Sequence, residues 1–165
     1  MPSIKEQERE NVARDVLKYL EYIHHGAPGK HPYVVFLGLR SFDTPGLLKR
    51  LEVGLSYAAF ERFQRNMDLS MRELAELVQI SLRTLSRRKD KGRLEPDESD
   101  RLVRLSRIFG KTLELFEGDY AAARAWLSRK QIGLGEAMPL DLVKSEVGTR
   151  EVEALIGRLE HGVFS

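Results

Sequence analysis

The chain has 165 residues, no cysteine, 42% hydrophobic and 32% charged residues, and a formal net charge of +2. This is the composition of an ordinary globular protein, and it excludes disulfide frameworks, thiolate chemistry and cysteine-based zinc sites. No apolar run approaches bilayer-spanning length, and the charged start Met1-Pro2-Ser3-Ile4-Lys5-Glu6 lacks the apolar core of a signal peptide, so the expectation is a cytoplasmic protein with no membrane partner.

Helical signals run through nearly the whole chain. Val12, Val16, Leu17, Leu20 and Ile23 recur at helical spacing, which predicts an amphipathic helix over about residues 5–23, broken by His24-His25-Gly26-Ala27-Pro28-Gly29. The two adjacent histidines have no third ligand at metal-binding spacing and read as a loop pair. Tyr33-Val34-Val35-Phe36-Leu37 fits either a strand or a buried helical turn. Asp43 and Thr44 can cap a helix with Pro45 in its first turn and Gly54 at its end.

The middle segment carries the clearest punctuation. Ser56 can cap a helix with Tyr57, Phe60 and Phe63 inward, and Ser70-Met71-Arg72-Glu73 forms a capping box. Ser81 caps a further short helix ending at Gly92, and Pro96 opens another with Leu102, Leu105, Ile108 and Phe109 inward and Gly110 as its expected stop. Beyond it, a short helical segment over Thr112–Phe116 closes at Gly118, and Asp119 caps a helix containing Ala122, Trp126 and Leu127. A loop over 133–139 and a turn of helix over Pro139–Val143 follow. Thr149 is the expected cap of a last helix with Val152, Leu155, Ile156 and Leu159 in one stripe, ended by His161-Gly162.

The excess positive charge lies in the middle, where Arg83, Arg87, Arg88, Lys89, Lys91 and Arg93 are opposed by Asp90 alone. Such a cluster attracts phosphate. Its setting fits a helix-turn-helix: Ala75 is small where two helices must approach, while Leu74, Val78, Ile80 and Leu85 are apolar at the shared core. The candidate DNA-binding residues are Ser81, Arg83, Thr84, Ser86, Arg87, Arg88 and Lys89. Arg83, Ser86 and Arg87 face outward at i, i+3 and i+4, near the half of the helix that enters a major groove. Arg88, Lys89, Lys91 and Arg93 suit phosphate neutralisation. Gln79 stands at the turn position often held by glycine.

Ser81-Leu82-Arg83-Thr84-Leu85-Ser86-Arg87-Arg88, Gly92-Arg93-Leu94 and Glu98-Ser99-Asp100-Arg101-Leu102 resemble the Xre-like antitoxins of the Xre/MbcA/ParS group. Pro139-Leu140-Asp141-Leu142, Glu146-Val147-Gly148 and the run from Val152 to Ser165 look like that group's toxin-binding module; the resemblance covers about residues 55–165. Gly133-Leu134-Gly135-Glu136-Ala137-Met138 departs from the Leu-Gly-Gly type of turn common in relatives. The resemblance implies a type II antitoxin that blocks a RES-domain toxin, an NAD-degrading enzyme, by covering its active-site entrance, and that represses its own operon. Its partners would be that toxin and operator DNA, in a homodimer and a larger oligomer with the toxin. It implies toxin contacts from Leu140, Arg158, His161, Gly162, Val163, Phe164 and Ser165.

The residues themselves leave two readings of the tail, with Val163 folded back on the last helix or Phe164 seated in a partner's pocket. Arg158 could meet an acidic partner group or pair within its own helix. The expected fold is all-α: an N-terminal helical region over 1–54 for dimerisation or the core, a Cro/repressor-like helix-turn-helix domain over 55–111, and a small helical toxin-binding domain over 112–165. No enzyme signature, metal cluster or cofactor motif is present, and none is expected. The alternatives are a stand-alone dimeric repressor whose C-terminal domain is a subunit interface, and an adaptor without DNA binding.

Overall fold

The computed structural model describes residues 1–40 and 43–162. Among them nine α-helices and two short 3-10 turns follow one another, with no strand. Helix α1 spans Ile4–His25 and opens on a capping box, in which Ser3 and Glu6 exchange bonds with each other's backbone N–H. It runs two residues beyond the expected stop, placing His24 and His25 in its last turn, where a helix's exposed carbonyls favour imidazole. Pro32–Leu37 is a buried 3-10 turn and not a strand. Helix α2 (Thr44–Val53) is capped by Asp43, whose carboxylate accepts from the Gly46 N–H at 2.7 Å.

Helices α3 (Tyr57–Met67), α4 (Met71–Leu77) and α5 (Leu82–Lys91) are capped by Ser56, Ser70 and Ser81, as their sequence predicts. Helix α6 spans Pro96–Leu115, and here the expectation fails: Gly110 does not stop it. The glycine serves a close approach instead. A Cβ at Gly110 would lie 2.6 Å from the Tyr19 hydroxyl oxygen, so α1 can pack on α6 only at a residue without a side chain. Tyr19 then donates to Glu114 at 2.8 Å, and burial raises the pKa of both groups.

Helices α7 (Tyr120–Leu127), α8 (Pro139–Leu142) and α9 (Glu146–Glu160) complete the chain, with a 3-10 turn at Ile132–Leu134. Thr149 does not cap the last helix. Ser145 does, accepting from the Gly148 N–H at 3.0 Å, while the buried Thr149 hydroxyl donates to the Ser145 carbonyl at 2.7 Å. The end of α8 packs closely on this first turn: a Cβ at Gly148 would collide with the Leu142 carbonyl.

One apolar cluster joins the three expected segments, from Val16, Tyr19 and Phe36 through Phe63 and Phe109 to Leu127, Val152 and Ile156. Phe109 on α6 sits at its centre, edge-on to Phe36, Phe63 and Tyr120 at 4.8, 6.2 and 6.1 Å between ring centroids. The N-terminal region therefore contributes to the core. No helix among the described residues is long and apolar enough to cross a membrane.

Candidate nucleic-acid interface and partner-binding surface

The turn between α4 and α5 is held from both sides. Ile80 N–H donates to the Ala75 carbonyl at 2.8 Å, and Arg101 Nε reaches back from α6 to the Val78 carbonyl at 2.7 Å. Gln79 takes the left-handed conformation the bend needs, with φ of +58°. That conformation costs a non-glycine residue about 1–2 kcal/mol, partly offset by glycine's greater freedom when unfolded. Gln79→Gly is therefore expected to stabilise the protein by about 0.5–1 kcal/mol, read as a rise of about 2 °C in thermal denaturation, with DNA binding unchanged.

On α5, Leu85 is buried and Arg88 is turned toward α6, while Leu82, Arg83, Ser86, Arg87 and Asp90 are exposed. At about 100° per residue these exposed positions form one continuous face. Arg83 and Lys89 have no side-chain partner among the described residues, and Arg87 makes only a 3.4 Å contact to Thr84 on its own helix. Ser81 and Thr84 serve the helix start: Ser81 Oγ accepts from the Thr84 N–H at 3.1 Å and donates to Thr84 Oγ1 at 2.9 Å.

Arg88 is not where the sequence reading put it. Its guanidinium clasps the buried Glu98, with Nε–Oε2 at 2.8 Å and Nη2–Oε1 at 3.0 Å. Glu98 also accepts from the Glu95 N–H at 2.8 Å. Burial pushes the Glu98 carboxyl upward, but the bonds from Arg88 and Glu95 outweigh it and hold the pKa below the ordinary value. Arg88 thus fastens α5 to α6, turned away from the exposed face that holds Arg83 and Ser86. Sequence counting could not separate it from Arg87 and Lys89, because the carboxylate that claims it lies on another helix.

The C-terminal segment is tied to this element. Arg124 on α7 donates to the Met67 carbonyl at 2.8 Å, and the Tyr120 hydroxyl to the Asn66 carbonyl at 2.6 Å. Lys144, just after α8, lies 3.4 Å from Glu76 on α4.

The expected partner-binding residues fall in two places. Leu140 lies on α8, half-buried and packed on the core beside the first turn of α9. Arg158, His161 and Gly162 stand at the other end of α9, roughly 15–20 Å away by helix rise. The Arg158 Nε is buried with no hydrogen-bond partner among the described residues, and His161 and Gly162 are exposed. Val163, Phe164 and Ser165 lie outside the described residues. Two exposed apolar side chains are not among the expected contact residues: Ile132, 86% exposed, and Val147, 76% exposed. No periodicity marks either one, since Ile132 starts a 3-10 turn of three residues and Val147 lies off the apolar stripe of α9.

Comparison with known proteins agrees with this division. Residues 46–107 match the antitoxin Xre-like helix-turn-helix domain, and residues 112–162 match the antitoxin Xre/MbcA/ParS C-terminal toxin-binding domain. The chain is 35% identical over 130 residues to an antitoxin Xre of Yersinia enterocolitica, covering 78% of this chain and 88% of that protein. It is 33% identical over the same shares to an antitoxin Xre of Photorhabdus laumondii. With the matched helix-turn-helix and the matched C-terminal segment built into one helical body, this chain belongs to the Xre antitoxin family.

Proposed function

We propose that the protein is a cytoplasmic type II antitoxin that neutralises a RES-domain, NAD-degrading toxin by covering its active site, and represses its own operon through α5. The observation that carries the DNA half is the free face of α5, where Arg83 and Arg87 stand exposed without an acidic partner among the described residues. Arginine at these positions suits bidentate bonds to guanine, Ser86 suits a base or phosphate, and Lys89 suits phosphate at the flank. Ser81 and Thr84 bring the helix start to the groove. Helix-turn-helix proteins engage paired half-sites as dimers, so repression is assigned to a homodimer within a larger oligomer with the toxin.

The toxin half rests on the C-terminal segment. The unpartnered Arg158 Nε and the exposed end of α9 at His161 and Gly162 lead into Val163, Phe164 and Ser165, which we assign to the toxin's active-site entrance. Leu140, with the exposed Val147 and Ile132, supplies a second, apolar contact.

Two variants in one co-expression experiment test both halves. Arg83→Ala/Arg87→Ala is expected to weaken operator binding about 100-fold or more, since each base contact contributes about 1–3 kcal/mol, while toxin rescue persists. Deleting residues 162–165 is expected to abolish rescue and co-purification of the toxin while sparing operator binding. A neighbouring gene product that is inert and does not co-purify would favour a stand-alone dimeric repressor.

A further inference from the structure

The face of α5 holds an apolar residue that neither the fold nor the charge argument accounts for. Leu82 is the first residue of the helix and is 43% exposed, on the same face as Arg83, Ser86 and Arg87. The core below α5 is filled by Leu85 and Ile80, so the fold does not require an apolar side chain at 82. The first turn of a helix favours proline or an acidic group, and a leucine there gains nothing from water. Its neighbours along the helix face, Ser81, Arg83 and Ser86, are polar or charged. Within a major groove, the apolar group that a base pair displays is the C5 methyl of thymine.

We propose that Leu82 is a specificity residue that packs on a thymine methyl within one or two base pairs of the base contacted by Arg83. This rests on the reading of α5 as the groove-entering helix, and it adds a direct preference for thymine to the arginine contacts. A leucine in that place makes no hydrogen bond to the other bases, and it leaves a void against a pyrimidine that lacks the methyl.

The test uses the full-length chain and the DNA upstream of its own gene, prepared once with thymidine and once with deoxyuridine throughout. The substitution removes every thymine methyl and keeps every base pair. The wild-type chain is expected to bind the deoxyuridine DNA about fourfold more weakly for each contacted methyl lost, the effect of removing one buried carbon. Leu82→Ala is expected to bind both DNAs with the affinity of wild type for the deoxyuridine form. Leu82 is exposed and alanine favours helix, so the variant keeps its fold. Equal binding of both DNAs by the wild type would overturn the proposal, as would an undiminished thymine preference in Leu82→Ala. Arg83→Ala/Arg87→Ala separates the two levels. If it loses both DNAs while Leu82→Ala keeps the full preference, α5 enters the groove and Leu82 does not read thymine. If it binds both DNAs like wild type, the assignment of α5 fails, and the thymine contact with it.

Discussion

A chain ending at residue 111 is expected to lack a cooperative thermal transition and to bind no operator DNA, although it contains the whole helix-turn-helix match. The reason lies at the end of α3. A helix leaves its last four carbonyls without partners. In α3 the Gln64 and Arg65 carbonyls are satisfied locally, by the Leu69 and Asp68 N–H groups at 3.2 and 3.1 Å. Among the described residues, the Asn66 and Met67 carbonyls are satisfied only by Tyr120 and Arg124 of α7. Truncation would also cut α6 short and uncover the faces on which Leu113, Leu127, Val152 and Ile156 are buried. Burial of such side chains contributes about 1.5–3 kcal/mol each, and four of them match the net stability of a typical domain. Circular dichroism during heating, with an operator shift assay alongside, checks the expectation. A sharp transition and retained binding would make residues 1–111 an independent module.

Glu98→Gln is expected to cost about 3 kcal/mol, the lower end of what breaking a buried ion pair costs, because Arg88 keeps some access to water. The amide oxygen cannot replace two carboxylate oxygens that accept from Arg88 and from the Glu95 N–H together. Arg88→Ala is expected to cost a similar amount, since it leaves Glu98 buried without its guanidinium. Were Arg88 a phosphate contact, its loss would instead weaken DNA binding and spare stability. The pH dependence gives a second reading. The Glu98 pKa is lowered in the folded state, so its contribution is fully present above the unfolded value, near 4.5, and is lost as pH falls through the folded pKa. The stability difference between wild type and Glu98→Gln should therefore be constant near neutral pH and shrink below about 4.5. Urea unfolding at a series of pH values measures it.

Much of the local structure was legible before the fold. Ser56, Ser70 and Ser81 cap their helices because a capping bond closes within three or four residues, and Pro96 opens α6 for the same local reason. The exposed face of α5 followed from helical period and charge. The failures share one cause. Gly110 reads as a stop unless Tyr19, far away in the chain, is known to need the space above it. Thr149 reads as a cap until Ser145 is seen to take the cap first, with the Thr149 hydroxyl buried and donating to the Ser145 carbonyl.

Periodicity, caps and charge act over a few residues, and they suffice to mark a helical chain with a helix-turn-helix in its middle and an amphipathic helix near its end. It took the packing of the helices to show that Arg88 serves Glu98, that Gln79 bears the left-handed turn under Arg101's hold, and that α7 completes the end of α3. Each of these depends on a partner from another helix. Such pairings are set by how the helices pack around Phe109, which short-range patterns do not encode.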